Sequence, residues 1–408
     1  MVKIDNYRVI STGWKHKDRL HLRSATEVHW SGWKYSWAEK RRLHAILSVL
    51  PTVPNIRLLS LRDAEINEAQ QAIIFGLSTL RTLVVNSCSF YPSKKPLPLS
   101  HVTALKLAYT DVETIHRLLT LLATSLESLE VDYSNYSGGP ISPTLHGGLI
   151  EPLQLSTLTI KAYHIAPNQA ILDTFKRYTA TTTISILSYY TVSGIFLHHS
   201  DLPALRSVTC DHRLAMIIIP ERPVTTYMEV GSFRTSEQLD LLNALSKTHA
   251  RITRLTLSVP DTIQSLLPSL ATYLQHLEQL TLRSYTVIPH QPLSGQPPHN
   301  PSSLAAVILP KLKWITIWVG HNYSTDFFPD FESLLKEYIT PACPALELFE
   351  ILGIPYDYNF NFNLSPEPVL TWKAWRLPNG SWERQRAPPI PTPSLRRSCK
   401  QQHSTFHG

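Results

Sequence analysis

Residues 80–90 read Leu80-Arg-Thr-Leu83-Val-Val85-Asn-Ser-Cys88-Ser-Phe90. Counted from Leu80, apolar groups fall at positions one, four, six and eleven, with a cysteine at nine. This is the spacing L-x-x-L-x-L-x-x-N/C-x-L, in which a short strand turns a corner toward a helix. Side chains alternate along a strand, so Leu83 and Val85 point inward while Thr82, Val84 and Asn86 point to the other face. Cys88 then enters the interior at the corner, where a small side chain is needed. One such stretch is weak evidence, because short alternating runs are common. Its recurrence decides the fold.

Upstream the spacing is Ile56-x-x-Leu59-x-Leu61, ending at Ile66, after a helix expected over Glu39–Leu50 with Pro51 as its stop. Downstream it returns as Val102-x-x-Leu105-x-Leu107, Leu126-x-x-Leu129-x-Val131 and Leu155-x-x-Leu158-x-Ile160, in steps of 22 to 29 residues. The middle is degenerate: Ile184-Ser-Ile186 and Leu205-x-x-Val208-x-Cys210 fit, and Thr225–Val230 barely does. It sharpens at Ile252-x-x-Leu255-x-Leu257 and Leu277-x-x-Leu280-x-Leu282, and again at Leu312-x-x-Ile315-x-Ile317 and Leu346-x-x-Phe349-x-Ile351. Helices with one apolar stripe precede several of them, as at Leu239, Leu241, Leu242 and Leu245, at Ile263, Leu266, Leu267 and Leu270, and near Phe331–Tyr338. The expected fold is α/β: an open leucine-rich-repeat solenoid of roughly ten to twelve repeats, with a parallel inner sheet and helices outside.

The array is expected over residues 44–368, interrupted at 288–303 by five prolines among glycine, serine and asparagine, which reads as an exposed rim loop. Residues 1–43 hold Trp14, Trp30, Trp33 and Trp37 and read as an aromatic cap, with Leu20, Leu22, Val28 and Trp30 available for one or two strands. The alternative for those tryptophans, interleaved with basic residues, is stacking on bases or clasping a cation. Residues 369–384 read as a capping hairpin turning at Asn379-Gly380, where both residues accept positive φ. Residues 385–408 form a basic Pro-rich tail without the apolar content for a core.

The chain of 408 residues is 43% hydrophobic and 17% charged, with a net charge of +7. Residues 1–43 carry ten basic and four acidic side chains, and five basic and no acidic ones follow from Arg384 onward. The body between is net acidic, so no basic stripe marks it for nucleic acid. Cys88, Cys210, Cys343 and Cys399 are far apart without metal-type spacing, and Cys88 and Cys210 sit in or just after strand-like runs, which suits buried free thiols in a reducing compartment. No apolar leader and no long apolar run is present, so a cytoplasmic or nuclear protein without membrane contact is expected. The sequons at Asn135, Asn322, Asn363 and Asn379 are accordingly expected to stay unmodified.

Catalytic signatures are missing: no Gly-rich phosphate loop, no H-E-x-x-H, no G-x-S-x-G and no C-x-x-C. His198-His199 and Cys210-Asp211-His212 lack further ligands at readable spacing and read as solvated residues beside a strand. Asp326, Asp330 and Glu332 read as a favourable acidic opening of a helix. A non-enzyme without cofactor or metal is expected, so the outward strand positions become the candidate site: Arg62, Asn86, Lys106, Glu130, Asp132, Lys161, Arg254, Arg283, Trp314 and Trp318. Trp314 and Trp318 stand out, because aromatic residues and arginine concentrate binding energy. The expected function is recognition of a protein partner on the concave face.

The run of L-x-x-L-x-L strands, the lead-ins Leu202-Pro203-Ala-Leu205 and Cys343-Pro344-Ala-Leu346, and the terminal Trp375…Gly380-Ser-Trp382 resemble the leucine-rich-repeat portion of fungal F-box-type proteins. The resemblance covers most of residues 20–384. It implies a substrate-recognition subunit of a cullin-type ubiquitin ligase, with ligase components as partners. Residues 1–43, however, hold no Leu-Pro start and no three-helix apolar pattern of an F-box.

Overall fold

The computed structural model describes residues 2–4, 26–31, 37–92, 101–122, 125–132, 154–161, 178–188, 197–198, 200–231, 235–259, 263–284, 308–320, 334–354 and 369–386. Every repeat motif named above supplies one strand of a single sheet, in chain order. Two strands precede the motifs, β1 (Val2–Ile4) and β2 (Glu27–Ser31). The repeat strands follow as β3 (Leu58–Arg62), β5 (Thr82–Asn86), β7 (Ala104–Ala108), β8 (Ser128–Asp132) and β9 (Thr157–Lys161). They continue as β10 (Thr183–Leu187), β11 (Ser207–Cys210), β12 (Thr226–Glu229), β13 (Arg254–Val259), β14 (Gln279–Ser284), β15 (Trp314–Gly320) and β16 (Leu348–Ile354). All of these pair in parallel with their neighbours, from β1 through β16. A small second sheet, β4 (Glu65–Ile66) beside β6 (Ser89–Phe90), forms just past the corners of two adjacent repeats.

The register is that of the motif. Leu59, Leu83, Leu105, Leu129 and Leu158 stand side by side across the sheet, and Leu61, Val85, Leu107, Val131 and Ile160 form the next row. All are buried in one core that runs the length of the array. Position eight turns the corner: Asp63, Ser87 and Tyr109 take φ of 53°, 51° and 51°. The residue at position nine then points back inward, and Ala64, Cys88 and Thr110 are buried there. Their counterparts Ser134, Tyr163 and Tyr285 lie outside the described residues.

Helices cover the convex side. The first, α1 (Trp37–Val49), begins two residues earlier than expected and tightens at Pro51 into a single 3₁₀ turn over Leu50–Thr52. The second, α2 (Glu68–Phe75), is started by a capping box in which Asn67 and Gln70 bond each other's backbone N–H. Then come α3 (Val112–Leu122), α4 (His212–Ile218), α5 (Thr235–Ser246) and α6 (Ile263–Tyr273). The helix expected near Phe331–Tyr338 is a π-helix over Leu334–Ile339. Position 43 falls inside α1, and β2 pairs with β3 like any internal strand, so the parallel sheet crosses the expected cap boundary without a break.

At the far end two antiparallel strands, β17 (Val369–Arg376) and β18 (Trp382–Arg386), close the sheet. Trp372 is buried against the edge of the Phe349 ring, with centroids 5.5 Å apart. The turn differs from the tight Asn-Gly form. Leu377 N–H donates to Ser381 O at 2.8 Å, so three residues form the loop, and only Gly380 takes a positive φ of 82°. Pro378 explains this, since its fixed φ suits the first turn position and forbids the mirror-image turn that would hold Asn379 at positive φ.

The degenerate middle is held by a buried cation. Arg222 is 2% exposed and donates Nε to Asp201 O at 2.7 Å, Nη1 to Ile218 O at 2.8 Å and Nη2 to His198 O at 2.6 Å. It thus binds the open carbonyl end of α4 and pins the loop before β11. β18 runs two residues past the expected hairpin end, and the loop at 288–303, the acidic trio Asp326, Asp330 and Glu332, His199, Cys399 and the rest of the tail from 387 lie outside the described residues.

Candidate partner-binding face

The side chains that do not enter the core form three rows along the concave face, because each strand contributes positions three, five and seven. The expected residues fall into two groups on it. In the early repeats, Glu130 on β8 sits between Lys106 on β7 and Lys161 on β9, at 3.1 Å and 2.5 Å. Burial alone would raise the Glu130 carboxyl, but the two ammonium groups outweigh it and hold it below the usual range. Arg62 lies beside Asn86 in the register and pairs locally with Asp63 at 3.3 Å, and Asp132 lies beside Lys161. These charges largely neutralise one another.

From β9 to β12 the face carries hydroxyls. Thr157, Thr183, Ser207 and Thr226 form one row and Thr159, Ser185 and Thr209 the next, all half-buried. This uncharged stretch separates the early ion cluster from the late repeats.

The late repeats change character. The Arg283 guanidinium stacks over the Trp318 ring, 5.1 Å from its centroid, and Nη2 reaches Met228 Sδ at 3.4 Å. Trp314 is 43% exposed, whereas the other described tryptophans of the sheet, Trp30, Trp318, Trp372, Trp375 and Trp382, are buried or half-buried. The register places Arg254, Gln279, Trp314, Leu348 and Trp375 in one row across β13 to β17. Leu352 lies beside Trp318 in another. Between them Lys373 Nζ meets Glu350 Oε1 at 2.8 Å, and Trp375 Nε1 donates to Glu383 Oε2 at 3.1 Å. Leu348, Leu352 and Trp375 were missed from sequence. The first two were legible as apolar residues at outward positions of the last motif; Trp375 was not, because it arrives on an antiparallel strand.

The triplet Cys210-Asp211-His212 is corrected by the structure. These are not solvated loop residues: Cys210 ends β11 inside the core, Asp211 caps α4 by accepting Leu214 N–H at 2.9 Å, and His212 is buried. The reason is alternation, which turns Cys210 inward and starts a helix directly after it. His198 does sit in an exposed loop, with Nδ1 2.8 Å from Ser200 Oγ. Among the described residues no group of three or more His, Cys, Asp or Glu side chains could hold a metal ion, and no helix is long and apolar enough to cross a membrane. Cys88, Cys210 and Cys343 are buried free thiols.

No protein-family model matches the chain, and no curated protein matches it. Among solved structures, the chain is similar to an internalin from Listeria monocytogenes at 14% identity, over 74% of this chain and 77% of that one, with a TM-score of 0.30. The leucine-rich-repeat architecture stands on the chain's own strand register.

Proposed function

We propose that the protein is a non-catalytic recognition scaffold that binds a protein partner on the concave face of its late repeats. One observation carries this: Trp314 is 43% exposed and opens an apolar run in its row, with Leu348 and Trp375 on one side and polar Gln279 and Arg254 on the other. Contiguous apolar side chains left in water mark contact sites, and tryptophan and arginine are both enriched among binding hot spots. The parallel strands fix the spacing of these groups before any partner arrives, so little ordering entropy opposes binding. The ubiquitin-ligase role implied by the family resemblance gains no further support among the described residues.

The test is affinity capture with wild-type chain and with the Trp314→Ala/Trp318→Ala variant, read by mass spectrometry. The expected result is a partner retained by wild type and lost by the variant. Equal retention of every captured protein by both would place recognition elsewhere.

A further inference from the structure

We infer that this late-repeat patch takes a polyproline-II segment bearing an apolar side chain and, three residues away, a carboxylate. This rests on the recognition role proposed above and names the chemistry of the ligand. Three observations lead to it.

First, the backbone of the patch is closed to strand addition. Each of β13, β14, β15 and β16 is paired on both sides, so a ligand lying on the face cannot borrow sheet hydrogen bonds. A segment that binds there must carry a conformation that needs none. An α-helix and polyproline II both meet that condition, and of the two polyproline II is the one that docks on aromatic surfaces at low entropic cost.

Second, the spacing fits. Arg254 on β13 and Trp314 on β15 lie in one row, two strands apart. Neighbouring strands are about 4.8 Å apart, so the two backbones are separated by about 10 Å. A polyproline-II helix repeats every three residues with a rise of about 3.1 Å each, so its residues i and i+3 share a face about 9 Å apart. An apolar residue over Trp314 and Leu348 therefore brings its third neighbour over Arg254.

Third, the charge is positive at the β13–β14 side of the patch. Glu350 is paired with Lys373, and Glu383, which keeps its charge while accepting from the Trp375 indole, lies at the opposite end on β18, whereas Arg254 is exposed and no carboxylate among the described residues pairs with it. Arg283 adds a second positive group beside Trp318. The complement is an acidic ligand.

The probe is a set of fluorescein-labelled peptides in a polyproline host: leucine with glutamate at i+3, the same with lysine in place of glutamate, and leucine with glutamate at i+2. Fluorescence anisotropy is read on the full chain, with circular dichroism confirming that each variant stays folded. The i+3 glutamate peptide should bind wild type at least tenfold more tightly than either relative. Trp314→Ala should weaken it at least tenfold, and Arg254→Glu should reverse the preference toward the lysine peptide. Equal binding of glutamate and lysine peptides, equal binding of the two spacings, or no binding at peptide concentrations of about 1 mM would each overturn the inference. If the peptides fail while Trp314→Ala/Trp318→Ala still loses a captured partner, the ligand chemistry is wrong and the recognition role stands. If that partner is also retained, both fall.

Discussion

The Cys88 thiol lies 3.4 Å from the carbonyl oxygen of Leu61, one full repeat upstream. Thr110 repeats the relationship: its hydroxyl donates to Ala108 O at 2.9 Å and approaches Val85 O at 3.5 Å. At Cys88 and Thr110 the residue at position nine therefore does more than fill the corner, because it bonds strand carbonyls in its own repeat and the one before, which Ala64 cannot do. Thr110→Val keeps the shape and removes the donor, so it should cost about 0.5–1.5 kcal/mol. Cys88→Thr supplies the same donor in the same slot and should fall within about 1 kcal/mol of wild type. Urea midpoints at unchanged slope are the measurement. A valine at 110 that leaves the midpoint where it was removes the hydrogen-bond role.

The register itself can be tested through Leu83 and Leu129, both fully buried. Leu83→Ala or Leu129→Ala should cost about 2–5 kcal/mol by leaving cavities in a core that cannot collapse around them. Val84→Ser, on the outward face of the same strand, should change stability by no more than about 0.5 kcal/mol. Similar losses at 83 and 84 would mean that the strand does not alternate as described.

What the sequence revealed was whatever obeys a period. Thr82–Asn86 was legible to the residue, because Leu83 and Val85 hold motif positions four and six, which alternate with the outward Thr82, Val84 and Asn86. The late patch was half legible: Trp314 and Trp318 could be placed by counting, whereas Trp375 joins them only through antiparallel pairing with Leu348. Arg222 and His212 could not be read at all. Their partners sit 17 to 25 residues away or in the loops between repeats, and no spacing rule covers those contacts.

Arg222 gives the sharpest test of the degenerate middle. Its guanidinium donates to the carbonyls of Asp201, Ile218, Pro220 and His198, and it is itself buried. Arg222→Leu removes the guanidinium from the Asp201, Ile218 and Pro220 carbonyls at once, while His198 O keeps the Asp201 N–H, and each loss is worth about 1–3 kcal/mol. The variant should lose at least about 3 kcal/mol, and amide exchange should rise first in α4 and the 200–205 loop. Protection unchanged there would show that water replaces the guanidinium at no cost.

The last prediction concerns pH and the cluster around Glu229. This carboxylate is 0% exposed, in the core of β12, where its Oε1 accepts the His212 backbone N–H at 3.1 Å and its Oε2 accepts the Tyr227 hydroxyl. His212 Nδ1 lies 3.7 Å from Glu229, and its Nε2 lies 3.1 Å from Glu237 on α5, which also pairs with Arg213 at 3.0 Å. Cys210 from β11 and Asp211 at the α4 N-terminus complete the surroundings. Burial raises Glu229, and His212 only partly opposes it. Burial would lower His212, but Glu229, Glu237 and Asp211 outweigh it and the imidazole is raised. Both shifts have the same sign for stability. A raised histidine contributes stability that is present below its unfolded value, about 6.5, and is lost as pH climbs through the higher folded value. A raised carboxyl favours folding while it is protonated, and it charges the core as pH rises. Wild type should therefore lose Tm on going from about pH 6 to about pH 8.5, where the imidazole no longer offsets Glu229. Glu229→Gln removes the buried charge and most of the field at His212, so its Tm should fall less over the same range. An equal fall in both proteins would show that the cluster does not set the alkaline limb.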